Sequence, residues 1–409
     1  MMLSLSGDLT LYAVLPIYAP TLGLGLGQVG ILLSANRLVR LLGNPLAGML
    51  MDNWGRRRLF LWGVGLGAMS TLSYAVSSRF WHFLLGRLLW GLCWSLIYVG
   101  AYSMMADVTA PDNRGQGSGV LQAFFFVGMA ANPLLGGIMV DWLGFRSAFI
   151  VCALTAALGF VIAYWTVPET LPGGDAHSLG AERARSRLRI ARWPRRWHPS
   201  LVIRWLALRT DIVAAALLYV LSAFAGDGIV MSTISLYVKR QYGDTISLNG
   251  LVLPVALVGG SLLALRALVS AAAALVSGRL SDRGGSRWLT TGCGGAIGVA
   301  GMALLTLERS PTLLAASVAM VALSGGVLGA VLPALVADQA ATEQRGAVMG
   351  GLMSAGAFGS FVGPFMGYSL LAVVSLKQVY LISALAMAVV LVISGLLLMI
   401  QAQSSRPRL

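Results

Sequence analysis

Stretches without a charged residue recur along the chain, and they constrain its fold more than any other feature. Each is long enough for a helix of about 20 residues to cross a hydrocarbon core of about 30 Å. The stretches are continuously apolar rather than alternating, which favours helices over barrel strands. They comprise residues 9–36, 59–78, 88–106, 115–140, 147–168, 245–265, 288–307, 310–337, 346–376 and 378–405.

Two further spans contain charged residues, residues 29–51 with Arg37 and Arg40 and residues 212–237 with Asp227. When the first span starts near residue 3, the total is twelve. Only 11% of the residues are charged and the mean hydropathy is +0.80, whereas soluble proteins carry about 25% charged residues. This composition excludes a water-soluble enzyme. We predict an all-α polytopic membrane protein with twelve transmembrane helices in two pseudo-symmetric six-helix bundles.

The basic residues indicate how these helices are oriented. Residues 168–209 form a long polar linker with nine arginines, which predicts one bundle at 1–167 and a second at 210–409. With this linker in the cytoplasm, nineteen Lys and Arg residues lie inside and six lie outside, so both termini are predicted to be cytoplasmic. The net charge of +14 is therefore mostly topology, and we expect no nucleic-acid partner. The predicted location is the cytoplasmic (inner) membrane of a bacterium.

An internal repeat relates the two bundles. At an offset of 231, residues 106–137 match residues 337–368, and both segments carry an Asp, an Arg-Gly pair and a later proline at equivalent positions. At an offset of 230, GMLMDNWGRR at 48–57 matches GRLSDRGGSR at 278–287. Two copies in the same orientation indicate a duplicated six-helix unit.

Six charged residues fall at membrane depth. Each costs about 2.5 to 3.5 kcal/mol on insertion scales, so we expect them to face a central cavity or one another. At an offset of 219, Asp8 aligns with Asp227, which places two acids at equivalent depth on the first and seventh helices. The candidate proton-coupling and substrate-cavity residues are Asp8, Asp227, Arg37, Arg87 and Arg266; Arg40 is the sixth charge.

These charges have three interpretations. In the first, Asp8 or Asp227 takes up a proton during the working cycle. In the second, the arginines bind an anionic or zwitterionic head group, because a guanidinium holds a carboxylate or phosphate through two hydrogen bonds. In the third, fixed Asp–Arg pairs only hold the helices in register. The positive balance of four arginines against two acids argues against a pump for simple lipophilic cations.

The twelve spans, the duplication and the repeated loop motif together resemble the major facilitator superfamily over essentially the whole chain. The motif is Gly48-x-x-x-Asp52-x-x-Gly55-Arg56-Arg57, and its second copy runs from Gly278 to Arg287. Arg87 with Gly91 resembles the helix 4 motif of the family, and Pro168-Glu169-Thr170 resembles its helix 6 ending. The resemblance implies secondary transport by rocker-switch alternating access about a midplane site.

The resemblance also implies a gate at the cytoplasmic ends of the helices. Asp52 would cap the start of helix 11 in the state closed to the cytoplasm, and Asp282 would cap the start of helix 5. A carboxylate is favourable there because a helix N-terminus carries about half a positive charge. The candidate gate residues are Gly48, Asp52, Gly55, Arg56, Arg57, Asp107, Arg114, Gly278, Asp282, Gly285, Arg287, Asp338 and Arg345.

Helix 5 departs from the pattern of the family's proton-coupled exporters. Those exporters carry Gly-Pro-x-x-Gly-Gly in helix 5, whereas this chain has Asn132-Pro133-Leu134-Leu135-Gly136-Gly137. Gly363-Pro364 occurs instead in helix 11, its repeat partner. The departure weakens an antiporter assignment, while Leu15-Pro16-x-Tyr18 in helix 1 resembles the drug–proton antiporter branch.

The function expected from these features is proton-coupled export of a small amphipathic organic molecule. The alternative is uptake or flipping of an anionic metabolite or lipid-like substrate, and a third class is a non-transporting membrane sensor or assembly protein. The three cysteines and three histidines lack metal-ligand spacing, so we expect no metal, cofactor or enzymatic activity. The proton gradient is the expected energy source, and the expected form is a monomer with the bilayer and a small-molecule substrate as partners.

Replacing Asp52 tests the predicted gate. Asp52→Asn removes the charge that would interact with a helix N-terminus, an interaction of about 0.3–1 kcal/mol, so the state closed to the cytoplasm should lose about two- to fivefold in population. The expected result is faster labelling, by a membrane-impermeant reagent, of a single cysteine introduced on the cytoplasmic side of the cavity, together with altered transport. Asp52→Glu, which keeps the charge, serves as the control. Unchanged labelling and transport in Asp52→Asn would exclude the gate role.

Overall fold

In the residues that it describes, the computed structural model of the chain is a bundle of twelve helices. It describes residues 1–109, 114–170, 210–248, 251–282, 286–307, 310–339 and 345–404. A short 3-10 turn, Leu3–Leu5, precedes the first helix. The helices are α1 (Ser6–Tyr18), α2 (Leu26–Trp54), α3 (Arg56–Val76), α4 (Phe80–Val108), α5 (Arg114–Leu143), α6 (Phe145–Thr166), α7 (Thr210–Tyr242), α8 (Val255–Asp282), α9 (Arg287–Leu307), α10 (Pro311–Gln339), α11 (Arg345–Leu370) and α12 (Leu376–Ser404).

Within the described part of the chain, ten of these helices are long and apolar enough to cross a membrane. The two that do not qualify are α1 and α2. Helix α1 has only 13 residues, and α2 has 29 residues that include Arg37 and Arg40. The predicted twelve-helix fold is confirmed, and the two helices that do not qualify carry two of the four charged residues that are buried in the described part of the chain, Asp8 and Arg37.

Helix α7 contains a π-helical segment, Ala223–Val230, between the α-helical parts Thr210–Ser222 and Met231–Tyr242. In this segment the Met231 N–H donates to the Gly226 carbonyl five residues earlier. A π-bulge adds a residue to one turn and is frequently found at functional sites. Asp227 lies inside this segment.

The connection between α7 and α8 contains secondary structure. The repeat offset predicts about eleven extra residues in an external loop around 239–248. In the structure α7 extends to Tyr242 and is followed by an antiparallel hairpin of β1 (Thr245–Leu248) and β2 (Leu251–Pro254). The described residues of this connection thus form the end of α7 and a hairpin that precedes α8.

The first half, α1–α6, contacts the second half, α7–α12, mainly at one end of the bundle. This is the end where α1 stops and α2 starts, and we call it the opposite end. There α5 crosses α8 backbone to backbone. A Cβ on Gly137 would lie 2.4 Å from the Ala256 carbonyl oxygen, and a Cβ on Gly260 would lie 2.2 Å from the Pro133 carbonyl oxygen. The Leu257 N–H of α8 also donates to the Asp141 carboxylate at 2.8 Å.

The halves separate at the other end, which carries the arginine-rich α2–α3 and α8–α9 connections. We call it the arginine-rich end. No atom lies within 4 Å of a Cβ built on Gly278, Gly350 or Gly351, and Leu280 is exposed. From the close contacts at the opposite end and the open positions at this end, we infer a cavity between the halves that is closed at the opposite end and open at the arginine-rich end.

Gly137 offers a test of this closed end. In Gly137→Ala the new methyl group would meet the Ala256 carbonyl oxygen, so the closed contact should weaken by about 1–3 kcal/mol. Cysteine labelling at Ala19→Cys, a position 1% exposed near the same end, should become at least several-fold faster. All labelling variants are made in a parent protein whose three native cysteines have been replaced.

The matched control is Gly119→Ala on the same helix, where no atom lies within 4 Å of the new Cβ. It should leave the labelling rate unchanged. An equal rate in Gly137→Ala and Gly119→Ala would contradict the close crossing of α5 and α8.

Candidate functional site

A buried carboxylate lies at the centre of the first half. Asp8, on the first turn of α1, is 5% exposed at its side chain and pairs with the fully buried guanidinium of Arg87 from α4. Arg40 of α2 approaches the second carboxylate oxygen at 3.6 Å, and the Asn36 side-chain amide donates to the first at 3.1 Å. One carboxylate thus joins three helices, and its hydrogen bonds satisfy it inside the membrane.

Tyr12 completes this cluster from one turn above Asp8. Its hydroxyl donates to the Leu33 carbonyl at 2.8 Å and accepts from Arg37 Nε at 3.0 Å. Arg87 Nε donates to the Leu32 carbonyl at 2.8 Å. The phenol ring also lies 5.2 Å from the Arg37 guanidinium carbon and 5.3 Å from that of Arg87. Tyr12 therefore separates two guanidinium groups and interacts favourably with both.

Arg37 connects this cluster to the second half. Its Nη1 donates to two main-chain carbonyls, that of Asp227 on α7 at 2.8 Å and that of Ser360 on α11 at 3.0 Å. Its Nη2 lies 3.4 Å from the Met231 sulfur. In the π-helical segment the Met231 N–H bonds Gly226 rather than Asp227, which leaves the Asp227 carbonyl available to Arg37. One arginine of the first half thereby bridges two helices of the second.

The second carboxylate has a different environment. Asp227 pairs with Arg266 of α8, but its side chain is 53% exposed while that of Arg266 is only 7% exposed. Asp227 lies at the middle of α7, so its exposed oxygen atoms face the cavity between the halves. Asp8 and Asp227 occupy equivalent positions in the repeat, yet only Asp227 is accessible from the cavity.

Two guanidinium groups of the site retain unused hydrogen-bond donors. Within the described part of the chain, the buried Nε atoms of Arg40 and Arg266 have no hydrogen-bond acceptor. A buried donor without a partner costs about 1–3 kcal/mol. These two atoms are therefore candidate contacts for a bound anion or for the oxygen of a substrate.

An aromatic row continues from Arg40 along α4. The Arg40 guanidinium carbon lies 5.2 Å from the Trp94 ring. Trp94 and Tyr98 have ring centroids 5.7 Å apart, and Tyr98 and Tyr102 are 4.7 Å apart. The row presents apolar ring surface and two hydroxyl groups next to the charged cluster. Among the described residues, no group of three or more His, Cys, Asp or Glu could hold a metal ion.

Comparison with known proteins identifies the family of the chain. The model of the Major Facilitator Superfamily matches residues 1–265 and 256–408, which together cover nearly the whole chain. The chain belongs to the Major Facilitator Superfamily. The resemblance inferred from the loop motifs is thus confirmed, and the chain is an integral membrane protein of a transporter family.

Relatives within the superfamily are distant. An uncharacterised MFS-type transporter of Methanocaldococcus jannaschii is 22% identical over 383 residues, covering 94% of this chain and 92% of the relative. The quinolone resistance protein NorA of Staphylococcus aureus is 27% identical over 150 residues, which is 37% of this chain and 38% of NorA. A crystal structure of a bacterial homologue of the human lysosomal transporter Spinster, inward-facing and occupied, matches 97% of this chain and 94% of that chain, with a TM-score of 0.76 and 16% identity.

The superfamily loop motif forms a polar cluster at the arginine-rich end of the first half. Gly55, at φ +95°, makes the tight turn between α2 and α3. Arg56 then pairs with Asp107 of α4 and approaches Asp52 at 3.7 Å. The Asp52 side chain is 65% exposed and approaches Arg56 among the described residues, so its role as a cap for the start of α11 stays a prediction. Gly48 lies on α2, as Asp52 does. A Cβ built on Gly48 would lie 3.9 Å from the Val99 side chain.

The start of α3 is capped from an unexpected place. The N–H groups of Arg56 and Arg57 donate to the Glu169 carboxylate at 3.1 and 3.2 Å. The Arg57 side chain donates to the carbonyls of Val167 and Tyr164, each at 2.6 Å. The Pro168-Glu169-Thr170 ending of α6 thus stabilises α3 through a favourable charge at its N-terminus.

The second motif copy builds a smaller cluster. Arg287 Nε donates to Asp338 at 2.5 Å, and Arg287 Nη1 donates to Ser281 at 3.2 Å. Asp338 is the repeat partner of Asp107, so each half joins its fourth helix to the motif loop by an ion pair. The side chains of Arg114, Asp282 and Arg345, and the whole of Gly285, lie outside the described residues. Gly278 is open on its Cβ side.

Sequence reasoning did not single out Tyr12, Asn36 or Glu169 as members of these clusters. A signal for two of them exists. Tyr12 follows Asp8 by four residues and so shares its helix face, and Asn36 adjoins Arg37 at membrane depth. Glu169 has no local signal for its role, because its partners lie more than 110 residues earlier in the chain.

The difference between the two carboxylates can be tested by stability. Asp8→Asn leaves Arg87 and Arg40 without their counter-charge, which should destabilise the fold by about 3–5 kcal/mol. Asp227→Asn should lower the thermal unfolding temperature much less, since its side chain is half exposed. Unfolding in detergent measures both. Asp8→Asn combined with Arg40→Gln should recover part of the loss, whereas equal effects of the two Asp→Asn changes would contradict this assignment.

Proposed function

We propose that the chain is a secondary active transporter that works by rocker-switch alternating access and exports a small amphipathic organic molecule in exchange for protons. The observation that carries the proposal is Asp227. It is a carboxylate at mid-helix, half exposed to the cavity between the halves, and paired with one arginine from the same half. With both termini in the cytoplasm, the open arginine-rich end faces the cytoplasm and would load substrate there.

Proton uptake at Asp227 would change the state of Arg266. The protonated carboxyl no longer carries the charge that holds the guanidinium, and Arg266 Nε already lacks an acceptor among the described residues. Release of Arg266 would alter the contact between α7 and α8 next to the Arg37 bridge. One charge moved through 100 mV supplies about 2.3 kcal/mol, enough for roughly a fiftyfold gradient of substrate.

Two further observations support an amphipathic substrate. Trp94, Tyr98 and Tyr102 place ring surface and hydroxyl groups beside Arg40, and flat organic molecules bind such surfaces. The relative NorA is a quinolone resistance protein. A quinolone is therefore the first compound to test.

The decisive experiment is quinolone transport in proteoliposomes with and without a pH gradient. The gradient should accelerate transport at least tenfold in the native protein. Asp227→Asn should abolish this acceleration and retain exchange without a gradient, because the pairing site changes while the fold remains. Asp244→Asn is the matched control, since Asp244 lies beyond the end of α7 and pairs with Lys239 on the surface. Identical rates in both conditions would exclude proton drive.

An anionic substrate is the second candidate function. It is favoured by the excess of guanidinium groups at the site and by the unpaired Nε atoms of Arg40 and Arg266. A thermal-shift screen of cationic against anionic ligands separates the two candidates. Stabilisation by anions that disappears in Arg266→Ala supports the second candidate, and stabilisation by cationic or neutral amphiphiles that survives in Arg266→Ala supports the first.

A further inference from the structure

A long groove on the described part of the molecule lies away from the central site. It runs on the outer surface between α3 and α6 and has a volume of about 800 Å³. Its walls are almost entirely apolar, with exposed Trp62, Met69 and Leu154 facing outward. From Arg58 to Leu72 the groove follows α3 for about 21 Å at 1.5 Å per residue, more than one leaflet of a core about 30 Å thick.

The charge of this groove is confined to one end. Arg57 and Arg58 line it where α3 begins, at the arginine-rich end. Arg57 donates to the carbonyls of Val167 and Tyr164 and so is fixed in place. Arg58 is exposed. A long apolar channel with two positive charges at the membrane–water boundary is complementary in charge and shape to a lipid with an anionic head group.

The internal repeat provides a comparison within the same molecule. Gly65 of α3 and Phe160 of α6 correspond to Gly295 of α9 and Leu391 of α12 at the offsets of 230 and 231. A Cβ on Gly295 would lie 2.9 Å from the Leu391 backbone nitrogen. A Cβ on Gly65 would instead meet the Phe160 ring at 3.3 Å. In the second half the two backbones touch, whereas in the first half an aromatic ring holds the helices apart.

The residue at the groove mouth differs in the same way. The repeat partner of Arg58 is Trp288, which is 5% exposed and part of the core. The first half therefore has both an open groove and a positively charged mouth, and at the equivalent position the second half has closely packed helices and a buried indole. General attraction of a bilayer to apolar helices does not account for a difference between two halves that share one fold.

We propose that the α3–α6 groove is a binding site for one anionic phospholipid of the leaflet at the arginine-rich end. An acyl chain occupies the groove beside the Phe160 ring, and the phosphate contacts Arg58, with the charge of Arg57 nearby. The site is separate from the cavity between the halves, so it stands or falls independently of the substrate and of proton coupling.

Native mass spectrometry of the full chain tests the site. The delipidated protein in detergent is mixed with equimolar phosphatidylglycerol and phosphatidylcholine. One phosphatidylglycerol should be retained in preference to phosphatidylcholine. Arg58→Gln should lower this retention about fivefold, since a basic residue near a membrane surface contributes about that factor for an anionic lipid. Ala157→Phe and Ala68→Phe, which place a ring in the groove, should lower it at least as much.

Two matched controls come from the second half. Arg279→Gln removes an exposed arginine from the same end of the bundle, and Ala388→Phe adds the same ring at the repeat partner of Ala157. Both should retain the lipid as the native protein does. Thermal unfolding of every variant separates a blocked groove from a misfolded chain, and either of the two ring-inserting variants suffices for the test if it unfolds as the native protein does.

Several outcomes would overturn the proposal. Equal retention of both lipids, or equal loss in Arg58→Gln and Arg279→Gln, would mean that no head group is recognised at this place. Unchanged retention in the folded ring-inserting variants would mean that the lipid binds elsewhere. A dimer that disappears in Ala157→Phe would assign the groove to a second copy of the chain. If a lipophilic compound displaced the lipid only in the variant that lacks Arg58, the groove would be assigned to a neutral ligand.

Discussion

The organisation of the molecule depends on how one carboxylate is satisfied inside a membrane. Asp8 has no access to water, so its charge is compatible with the fold only because Arg87, Arg40 and Asn36 surround it. These partners come from α4 and α2, and the pairing therefore fixes the positions of both helices around α1. Arg87 in turn holds the Leu32 carbonyl, and Tyr12 positions Arg37 toward the second half.

The duplication does not produce two equal sites. The first half encloses its acid within a network of arginines, an amide and a phenol, whereas the second half pairs its acid with a single arginine beside the cavity. A carboxylate whose ion-pair and hydrogen-bond partners all lie in its own half is suited to maintaining structure. A single pair accessible from the cavity is suited to exchanging its partner. The fold of this chain thus gives two different environments to acids that the repeat places at equivalent positions.

Hydropathy and repetition in the sequence predict much of this arrangement and miss the rest for physical reasons. The uncharged stretches locate the helices because a long apolar helix is the structure that satisfies its backbone hydrogen bonds inside a bilayer. The high cost of a charge at membrane depth identifies Asp8, Asp227 and the arginines as candidate site residues. The repeat places the two acids at equivalent depth but does not indicate that their surroundings differ. Their difference depends on Tyr12 and Asn36, which are uncharged and so do not stand out in a hydrophobic span. It also depends on the π-helical segment 223–230, whose extra residue per turn is not visible in a hydropathy profile.

The same limits apply at the arginine-rich end. The loop motif identifies the connection at Gly55 but not the ion pairs made there. Asp107 of the fourth helix pairs with Arg56, and Arg57, the repeat partner of Arg287, binds the end of α6. Glu169 caps α3 over a separation of more than 110 residues. Such pairings depend on which helix ends meet in space, and local pattern does not encode this.

The bridge from Arg37 has a consequence for how such a chain can diverge. Its acceptors on α7 and α11 are main-chain carbonyls, which every amino acid supplies. The side chains at Asp227 and Ser360 can therefore change without removing the connection between the halves. A transporter whose mechanical coupling uses the backbone can acquire new specificity by exchanging the side chains around the cavity, while the motion that carries the cargo stays the same.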